Sequence, residues 1–310
     1  MRKQDGIFLG LTLGTMVLGV FLPVLAEPMW WVPKTVMLGM LFISFLSIDA
    51  RAVLDDVKHY PMAILFVIVL KLVVMPIACW FLFQYFFPEY ALGAAVVGGC
   101  ATAVSAPFFA FFVSADYVLV LVSLVGTSLL LPFVLPAVLA FLSGFSGVEG
   151  GITVDLPVWS MVASLAVMTG GPFIASQVVR RNEKITERIL SLKQKVFLVG
   201  SSTANVAIFA KYSSVILQSP QTMLTALAGS FLVFAILFTL PAVLLVQLPP
   251  DKHLAFVISC VAINNVLALI TCVEFFSLNE VLLSAMYSVP FFFALVFYRL
   301  LGRLRGHIGA

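Results

Sequence analysis

The stretch GGCATAVSAP, Gly98 to Pro107, interrupts the fourth long apolar segment of the chain. Small, polar and helix-breaking residues leave backbone groups without helical partners, and a membrane tolerates this only where the break faces protein or a water-filled cavity. We take Gly98, Gly99 and Pro107 as the breaking residues. The stretch is therefore the first candidate for a binding site.

Composition places the chain in a membrane. Of its 310 residues, 62% are hydrophobic and 10% are charged, and the mean hydropathy is +1.16. Such a chain lacks the polar residues that cover a soluble globule. The first apolar stretch is interpreted as a retained span, because no small-residue cleavage site closes it. The sequence predicts an all-α polytopic membrane protein, with residues 1–310 forming a single domain.

Ten apolar stretches approach the roughly 20 residues that a membrane-spanning helix needs. The predicted spans are residues 7–25, 33–49, 61–86, 91–114, 117–143, 153–179, 194–216, 222–247, 253–274 and 279–301. Threading these spans puts fourteen of the 17 Lys and Arg residues on the side of the N-terminus, against Lys34 alone in an external loop. The positive-inside rule then predicts that both termini are cytoplasmic. A bacterial inner membrane is the simplest location for a short compact chain.

The predicted spans divide into two halves at the loop around Gly144 to Asp155. The first repeat covers about residues 1–148 and the second about residues 149–310. Because each half has an odd number of spans, the second enters the membrane in the opposite orientation, which makes an inverted repeat. Spans three and eight carry Pro76 and Pro241, and paired interruptions of this kind point to a transporter site near the midplane.

Three stretches resemble the bile acid:sodium symporter family. Gly98–Pro136 resembles its fourth and fifth spans, with a Gly-rich broken helix, a short turn at Ala115-Asp116 and a Ser/Thr-rich span that ends in paired prolines. KLVVMP, Lys71 to Pro76, resembles the third-span motif, and ISCVAINNVLA, Ile258 to Ala268, resembles the crossing helix of span nine.

The resemblance implies a panel of spans one, two, six and seven that faces a core of spans three, four, five, eight, nine and ten. Crossed, unwound helices four and nine would present half-helix ends to an organic anion and two sodium ions. Half-helix N-termini carry partial positive charge and free N–H donors, which suit a carboxylate. The implied activity is alternating access for an anionic solute.

Departures from the family pattern fall on its sodium ligands. The family's oxygen-bearing side chains in spans three, four, five and nine fall here on Lys71, Ala106, Pro107, Val120, Leu124, Ser259 and Ile263. Sodium is a hard cation that needs several oxygen ligands, as calcium and magnesium do. The sequence therefore predicts a divergent member that lacks both sodium sites.

Lys71 is the residue on which the predicted mechanism depends. It lies ten residues into a span that starts at Pro61, about 15 Å deep at 1.5 Å per residue. A lysine near the bilayer centre is costly unless it is paired or faces water. Its ammonium is a candidate replacement for the bound cation, held by carbonyls of the span nine crossing and by Ser259 or Asn264. Either it exchanges a proton and couples transport to proton movement, or it stays charged as a counter-charge; the structural alternative is that it only packs.

Four polar residues are candidate substrate ligands: Thr102, Ser105, Asn264 and Asn265. Each has a structural alternative. Thr102 and Ser105 can bond to their own helix, and Asn264 can cap an interrupted helix. The four cysteines, Cys79, Cys100, Cys260 and Cys272, lack the spacing of a disulfide framework or metal site, so no metal and no cofactor are predicted.

The motifs present in the sequence help to distinguish an enzyme, a transporter, a sensor and a channel. The chain has no HExxH, GxSxG or phosphate loop, and His59, His253 and His307 are expected in loops or the tail, so it is not expected to be an enzyme. The alternative to a transporter is a non-transporting sensor or assembly subunit, and a channel fits a broken-helix repeat poorly.

The expected partners are a small organic anion and the lipid bilayer, with a proton as candidate coupling ion, sodium disfavoured and nucleic acid excluded. The anion itself, whether a sterol conjugate, a short keto or hydroxy acid or a vitamin precursor, is not specified by the sequence.

Overall fold

The computed structural model describes residues 3–47, 61–146 and 156–307, and these residues are folded as helices joined by short connections. No strand occurs among them apart from one isolated bridge. The first half of the chain contains α1 Lys3–Phe21, α2 Val32–Leu46, α3 Pro61–Val69, α4 Met75–Phe86, α5 Ala91–Gly99, α6 Ala106–Phe112 and α7 Tyr117–Ser146. The second half contains α8 Val158–Arg180, α9 Glu183–Ser191, α10 Lys193–Lys211, α11 Ser213–Gln218, α12 Pro220–Leu244, α13 Pro250–Val261, α14 Asn265–Phe275, α15 Leu278–Met286 and α16 Ser288–Leu304.

Five helical stretches of the described chain are long and apolar enough to cross a membrane. They are Ile64–Phe86, Tyr117–Phe145, Val158–Arg180, Pro220–Leu244 and Leu278–Leu304. This is consistent with a polytopic membrane protein. Predicted spans four and nine fall on pairs of short helices, α5 with α6 and α13 with α14, so neither has the length of a continuous span. The count of ten spans and the inverted repeat stay predictions. Of the charges that set the predicted topology, Arg2, Arg51, Lys58, Glu149 and Asp155 lie outside the described residues, as does His59.

The chain divides into two compact units. The first holds the described residues within Met1–Asp49 and Met168–Thr225, and the second those within Ala50–Val167 and Ala226–Ala310. The boundaries fall inside α8 and α12. The predicted grouping of panel and core helices stays a prediction.

In the first unit, α1 packs closely on α10. A Cβ atom added at Gly19 would lie 2.7 Å from the carbonyl oxygen of Val206, a distance that real Cβ atoms do not adopt. Gly200 approaches Val36 of α2 in the same way, at 2.9 Å. Small residues let membrane helices approach to backbone contact, so these glycines set the spacing of the unit.

In the second unit, glycines of α5 bring that helix against α4 and α15. A Cβ at Gly98 would lie 2.8 Å from Cys79 Sγ, and a Cβ at Gly93 would lie 2.9 Å from the Cα of Glu280. Side chains on α4 that face this contact are fully buried, including Met75 and Cys79. The broken helix is therefore held by a tightly packed core.

Candidate functional site

The connections between α5 and α6 and between α13 and α14 cross in the interior of the second unit. Thr102 and Ile263 form an antiparallel bridge, and both side chains are buried. Two backbone bonds flank the bridge, from Ala103 N to the Ala262 oxygen at 2.6 Å and from Asn264 N to the Ala101 oxygen at 2.7 Å. The two interrupted helices thus satisfy each other's backbone at the point where each leaves helical geometry, as a membrane interior requires.

The predicted breaking residues lie beside the break and not inside it. Gly98 and Gly99 are the last two residues of α5, and Pro107 is the second residue of α6. The non-helical residues are those between, 100–105. Neither glycine has a positive φ angle. Both are required by space, because a Cβ at Gly99 would lie 2.8 Å from Leu135 Cδ1 and 3.1 Å from the Pro76 ring.

Lys71 lies beside this crossing with its side chain completely buried. Its Nζ donates a hydrogen bond to the Cys260 carbonyl oxygen at 2.6 Å. No carboxylate among the described residues pairs with it, and the titratable groups near it are the thiols of Cys260, Cys100 and Cys79. Lys71 therefore brings a buried amine into the core with only a carbonyl as its hydrogen-bond partner in the described chain.

A π-helical turn, Leu70–Val74, contains Lys71 and separates α3 from α4. π-bulges are rare, and they occur frequently at functional sites because the extra residue in the turn redirects side chains. Pro76 follows directly, at the second position of α4. The distortion of the span thus coincides with its one lysine.

Donors from outside the helix cover the C-terminal end of α13. The last four carbonyls of a helix have no partner within it, and the end carries partial negative charge. Here each of the four accepts a bond: Ile258 O from Ala262 N at 2.9 Å, Ser259 O from Thr102 Oγ1 at 2.9 Å, Cys260 O from Lys71 Nζ at 2.6 Å and Val261 O from Tyr287 OH at 2.8 Å. The carbonyl cluster most suited to a cation therefore already holds an amine and two hydroxyl groups.

Two of the predicted substrate ligands, Asn264 and Ser105, differ in their side-chain hydrogen bonds. Asn264 caps α14, since its Oδ1 accepts from Leu267 N at 3.2 Å, which is the structural alternative considered for it. Ser105 precedes α6, is half-buried and makes no side-chain cap. The role of each in substrate binding stays a prediction.

Two polar atoms near the crossing have no hydrogen-bond partner in the described chain. They are Ser259 Oγ and Asn265 Oδ1. The amide nitrogen of Asn265 donates to Ser288 Oγ at 2.8 Å, which fixes the side chain between α14 and α16. Buried polar atoms without partners are uncommon and mark places where a ligand or ion can add bonds.

Sequence reasoning missed several partners of the crossing. Thr127 Oγ1 accepts from Thr102 N at 3.0 Å and donates to the Ser123 oxygen at 2.6 Å. The Ser/Thr-rich character of span five was the available signal, but the family positions considered there were Val120 and Leu124. Tyr287 had no signal, because its partner is a backbone carbonyl of a distant segment.

One histidine differs from expectation. His253 is not in a loop; it lies in the first turn of α13 with its side chain buried, and Nε2 is 2.9 Å from the Ala242 oxygen. The connection before it is short, so the helix starts at Pro250 and carries the histidine inward. His307 does lie in the tail, 2.7 Å from the Ser114 oxygen.

A comparison with protein families gives a match over more than half of the chain. A model described as the sodium bile acid symporter family matches residues 34–219, more than half of the sequence. The match includes Lys71 and the broken pair α5 and α6, and it ends before α12. No curated protein matches the chain at a significant level. The helices α13 and α14, which form the other part of the crossing, lie beyond the matched residues.

Proposed function

The chain belongs to the sodium bile acid symporter family, and from that premise we propose that it is a secondary transporter of a small organic anion that works by alternating access without sodium. Membership of this family supports an integral membrane protein that belongs to a transporter family and not to an enzyme family. The crossing of two interrupted helices supports a central site of the kind such transporters use.

The bond from Lys71 Nζ to the Cys260 oxygen carries the proposal. Unwound carbonyls and half-helix C-terminal ends are the groups that bind coupling ions in broken-helix transporters. An ammonium at the end of α13 neutralises the same partial charge that a bound cation would. We assign Lys71 the role of a tethered cation.

The ligands available at this site support the proposed sodium independence. Sodium needs several oxygen ligands, and three of the four terminal carbonyls of α13 are engaged by side chains from other segments. At positions where the family has oxygen-bearing side chains, Ile263 and Val120 offer none. A sodium ion would have to displace Lys71 or Thr102 to gain a full shell.

A carboxylate suits the N-terminus of α14, whose partial charge is opposite in sign to that of the C-terminus of α13. The N-terminus of α14 carries partial positive charge, and the lysine adds a full charge when protonated. Ser259 Oγ and Asn265 Oδ1 add hydrogen-bonding capacity. Thr102, Ser105, Asn264 and Asn265 remain the proposed substrate ligands, with Ser259 and Lys71 as the replaced ion site.

Coupling has two versions that share this geometry. If Lys71 loses and regains its proton in each cycle, transport is coupled to proton movement. If it stays protonated, the protein is a uniporter or exchanger. Uptake into proteoliposomes under an imposed pH gradient separates the two, because only the first version gives accumulation driven by the gradient.

The proposed location is a bacterial inner membrane with both termini in the cytoplasm. The basic residues of the loop between α8 and α10 support that orientation, since Arg181, Lys184 and Arg188 are all exposed. Family membership supports the membrane but not the side.

The proposal is tested by thermal unfolding of the purified protein against a panel of organic anions, in sodium and in sodium-free buffer at two pH values. A ligand that binds the native state raises the midpoint by mass action. We expect at least one anion to stabilise the protein equally in both buffers. Stabilisation that requires sodium would overturn the sodium-independent mechanism.

Lys71→Gln sharpens the test, with Lys211→Gln as the matched control. Lys211 is exposed at the end of α10 and lies over the Tyr212 ring, so its loss leaves the crossing intact. We expect Lys71→Gln to alter the dependence on pH or sodium, and Lys211→Gln to alter neither. Unchanged transport and pH dependence in Lys71→Gln would remove the tethered-cation role.

A second function fits the same observation. A chain whose cation site is filled by its own lysine is also consistent with a sensor or assembly subunit that binds an anion without moving it. Binding by thermal shift combined with no uptake or exchange in proteoliposomes would favour this alternative over transport.

A further inference from the structure

A cavity of about 420 Å³ lies in the second unit, away from the crossing. Met62, Ile64 and Phe66 of α3 form one wall, and Val118 and Leu119 of α7 form another. The third wall is the connection between α12 and α13 together with the start of α13. Its volume falls in the range of about 300–1,000 Å³ that is typical of small-molecule sites.

The walls of the cavity include the first residues of two stretches that are long and apolar enough to span a membrane. The candidate spans Ile64–Phe86 and Tyr117–Phe145 both begin at its walls. Val122, its deepest residue on α7, lies five residues into that span, about 7.5 Å at 1.5 Å per residue. Spans that enter the membrane at these residues would put the cavity between the headgroup level and the first layer of hydrocarbon.

The residues at the bottom of the cavity are apolar, and only two of the lining residues are charged. Val122 and Phe256 are buried, while Met62 and Phe66 are exposed. The charged lining residues are one acid, Asp116, and one base, Lys252, and both are half-buried. A ligand that fits this cavity has a hydrocarbon part, which contacts the apolar residues. It also has a polar headgroup with one group that pairs with an acid and one that pairs with a base.

Hydrogen bonds hold the walls in place, so the cavity is preformed. Asp116 N donates to the Asp251 oxygen at 3.1 Å, and Asp116 Oδ1 accepts from Leu119 N at 3.0 Å. Arg305 Nη2 donates to the Leu248 oxygen at 2.9 Å. These bonds tie the start of α7, the connection before α13 and the end of α16 around one space.

We propose that this cavity is a binding site for a phospholipid whose headgroup carries both a phosphate and a primary ammonium, of the phosphatidylethanolamine type. An acyl chain fills the apolar floor, the phosphate pairs with Lys252, and the ammonium pairs with the Asp116 carboxylate. Its occupant comes from the adjoining leaflet, because the cavity opens at headgroup depth. The site is independent of the transport proposal.

The test uses purified full-length protein, stripped of lipid in detergent and supplied with dioleoyl phosphatidylethanolamine, phosphatidylcholine or phosphatidylglycerol. Native mass spectrometry counts retained lipids, and thermal unfolding reports stabilisation. We expect phosphatidylethanolamine to be retained and to raise the midpoint more than phosphatidylcholine, whose quaternary ammonium cannot donate hydrogen bonds. Glycerophosphoethanolamine, which has the headgroup without chains, is expected to give no shift.

Three variants assign the contacts. Asp116→Asn keeps the oxygen that accepts from Leu119 N, so α7 stays capped, but the preference for phosphatidylethanolamine over phosphatidylcholine should disappear. Lys252→Gln should weaken all three lipids severalfold, and Lys195→Gln, an exposed lysine of α10, is its matched control. Val118→Trp places bulk in the cavity from a half-exposed position and should abolish retention.

Two results would overturn the proposal. One is equal retention of all three lipids by the wild-type protein. The other is retention of phosphatidylethanolamine by Val118→Trp at the wild-type level, which would place the lipid elsewhere. If Lys252→Gln fails to fold, Asp116→Asn and Val118→Trp still decide the matter.

Discussion

Lys71 is a fully buried lysine whose side chain donates to one backbone carbonyl of a distant segment. A buried ammonium loses most of its hydration, and one carbonyl hydrogen bond replaces little of it. The remaining compensation comes from the negative end of α13. A residue kept in this position at such cost is more readily explained by function than by packing, because apolar residues of similar volume often stabilise such sites.

Lys71→Met is predicted to separate stability from transport. Removing the buried charge is favourable, while leaving the Cys260 oxygen without its donor costs about 1–3 kcal/mol. The two effects oppose each other, so the unfolding midpoint should move by no more than about 5 °C. Transport should fall by at least about tenfold, which corresponds to roughly 1.4 kcal/mol. A large loss of stability with transport intact would show that Lys71 only packs.

Asn264 can be assigned to capping or to binding by two substitutions. Asn264→Asp keeps the side-chain oxygen that accepts from Leu267 N, so the cap and the stability should persist. It adds a negative charge at the N-terminus of α14, and if Asn264 contacts the anion, affinity should fall by about tenfold or more. Asn264→Leu should instead cost about 1 kcal/mol of stability. Thermal unfolding with and without the stabilising anion measures both, and unchanged affinity in Asn264→Asp would limit the residue to capping.

At the level of elements, the broken helix α5 depends on close contact with α4. Gly98→Ala is predicted to destabilise the protein by about 1–3 kcal/mol, because the new Cβ would lie 2.8 Å from Cys79 Sγ and 3.3 Å from the Met75 oxygen. Gly170→Ala, in α8, meets nothing within 4 Å and should be neutral or slightly stabilising. Chemical or thermal unfolding in detergent gives the comparison.

Cys79→Ala tests the contact itself. In the double variant with Gly98→Ala, the sulfur that blocks the new methyl group is absent, so part of the lost stability should return. Purely additive effects would mean that the Met75 backbone, and not the thiol, limits the approach.

Sequence patterns predicted the positions of these elements better than their interactions. The break after Gly99 and the second break before Asn265 follow from Gly, Pro and Asn in apolar segments, and both occur in the structure. The reason for Gly98 and Gly99 was not predictable, because close approach to Cys79 and Leu135 depends on packing. Likewise, the sequence identified Lys71 as the unusual charge, while its acceptor is a backbone oxygen that carries no residue signature. The π-turn around Lys71 had no local signal either.

At the level of the whole molecule, the family match and the crossing cover different parts of the chain. The match ends at residue 219, whereas α13 and α14, which complete the crossing, follow it. Lys71 and Thr102 lie inside the matched region and their acceptors on Cys260 and Ser259 lie outside it. The bonds across the crossing thus connect the matched part of the sequence to the part beyond it. Substitutions of Lys71 therefore also test the part of the chain beyond the match.

The predicted orientation can be tested with cysteine labelling, because the native cysteines Cys79, Cys100, Cys260 and Cys272 are all buried. Glu27→Cys and Glu187→Cys place an exposed thiol at opposite predicted faces. In intact bacterial cells, a membrane-impermeant maleimide should label Glu27→Cys at once and Glu187→Cys only after the membrane is permeabilised. The wild-type chain, whose four thiols are all buried, should remain unlabelled in both conditions. Since the basic residues Arg181, Lys184 and Arg188 surround position 187, labelling of Glu187→Cys in intact cells would place this basic segment outside, contrary to the positive-inside rule.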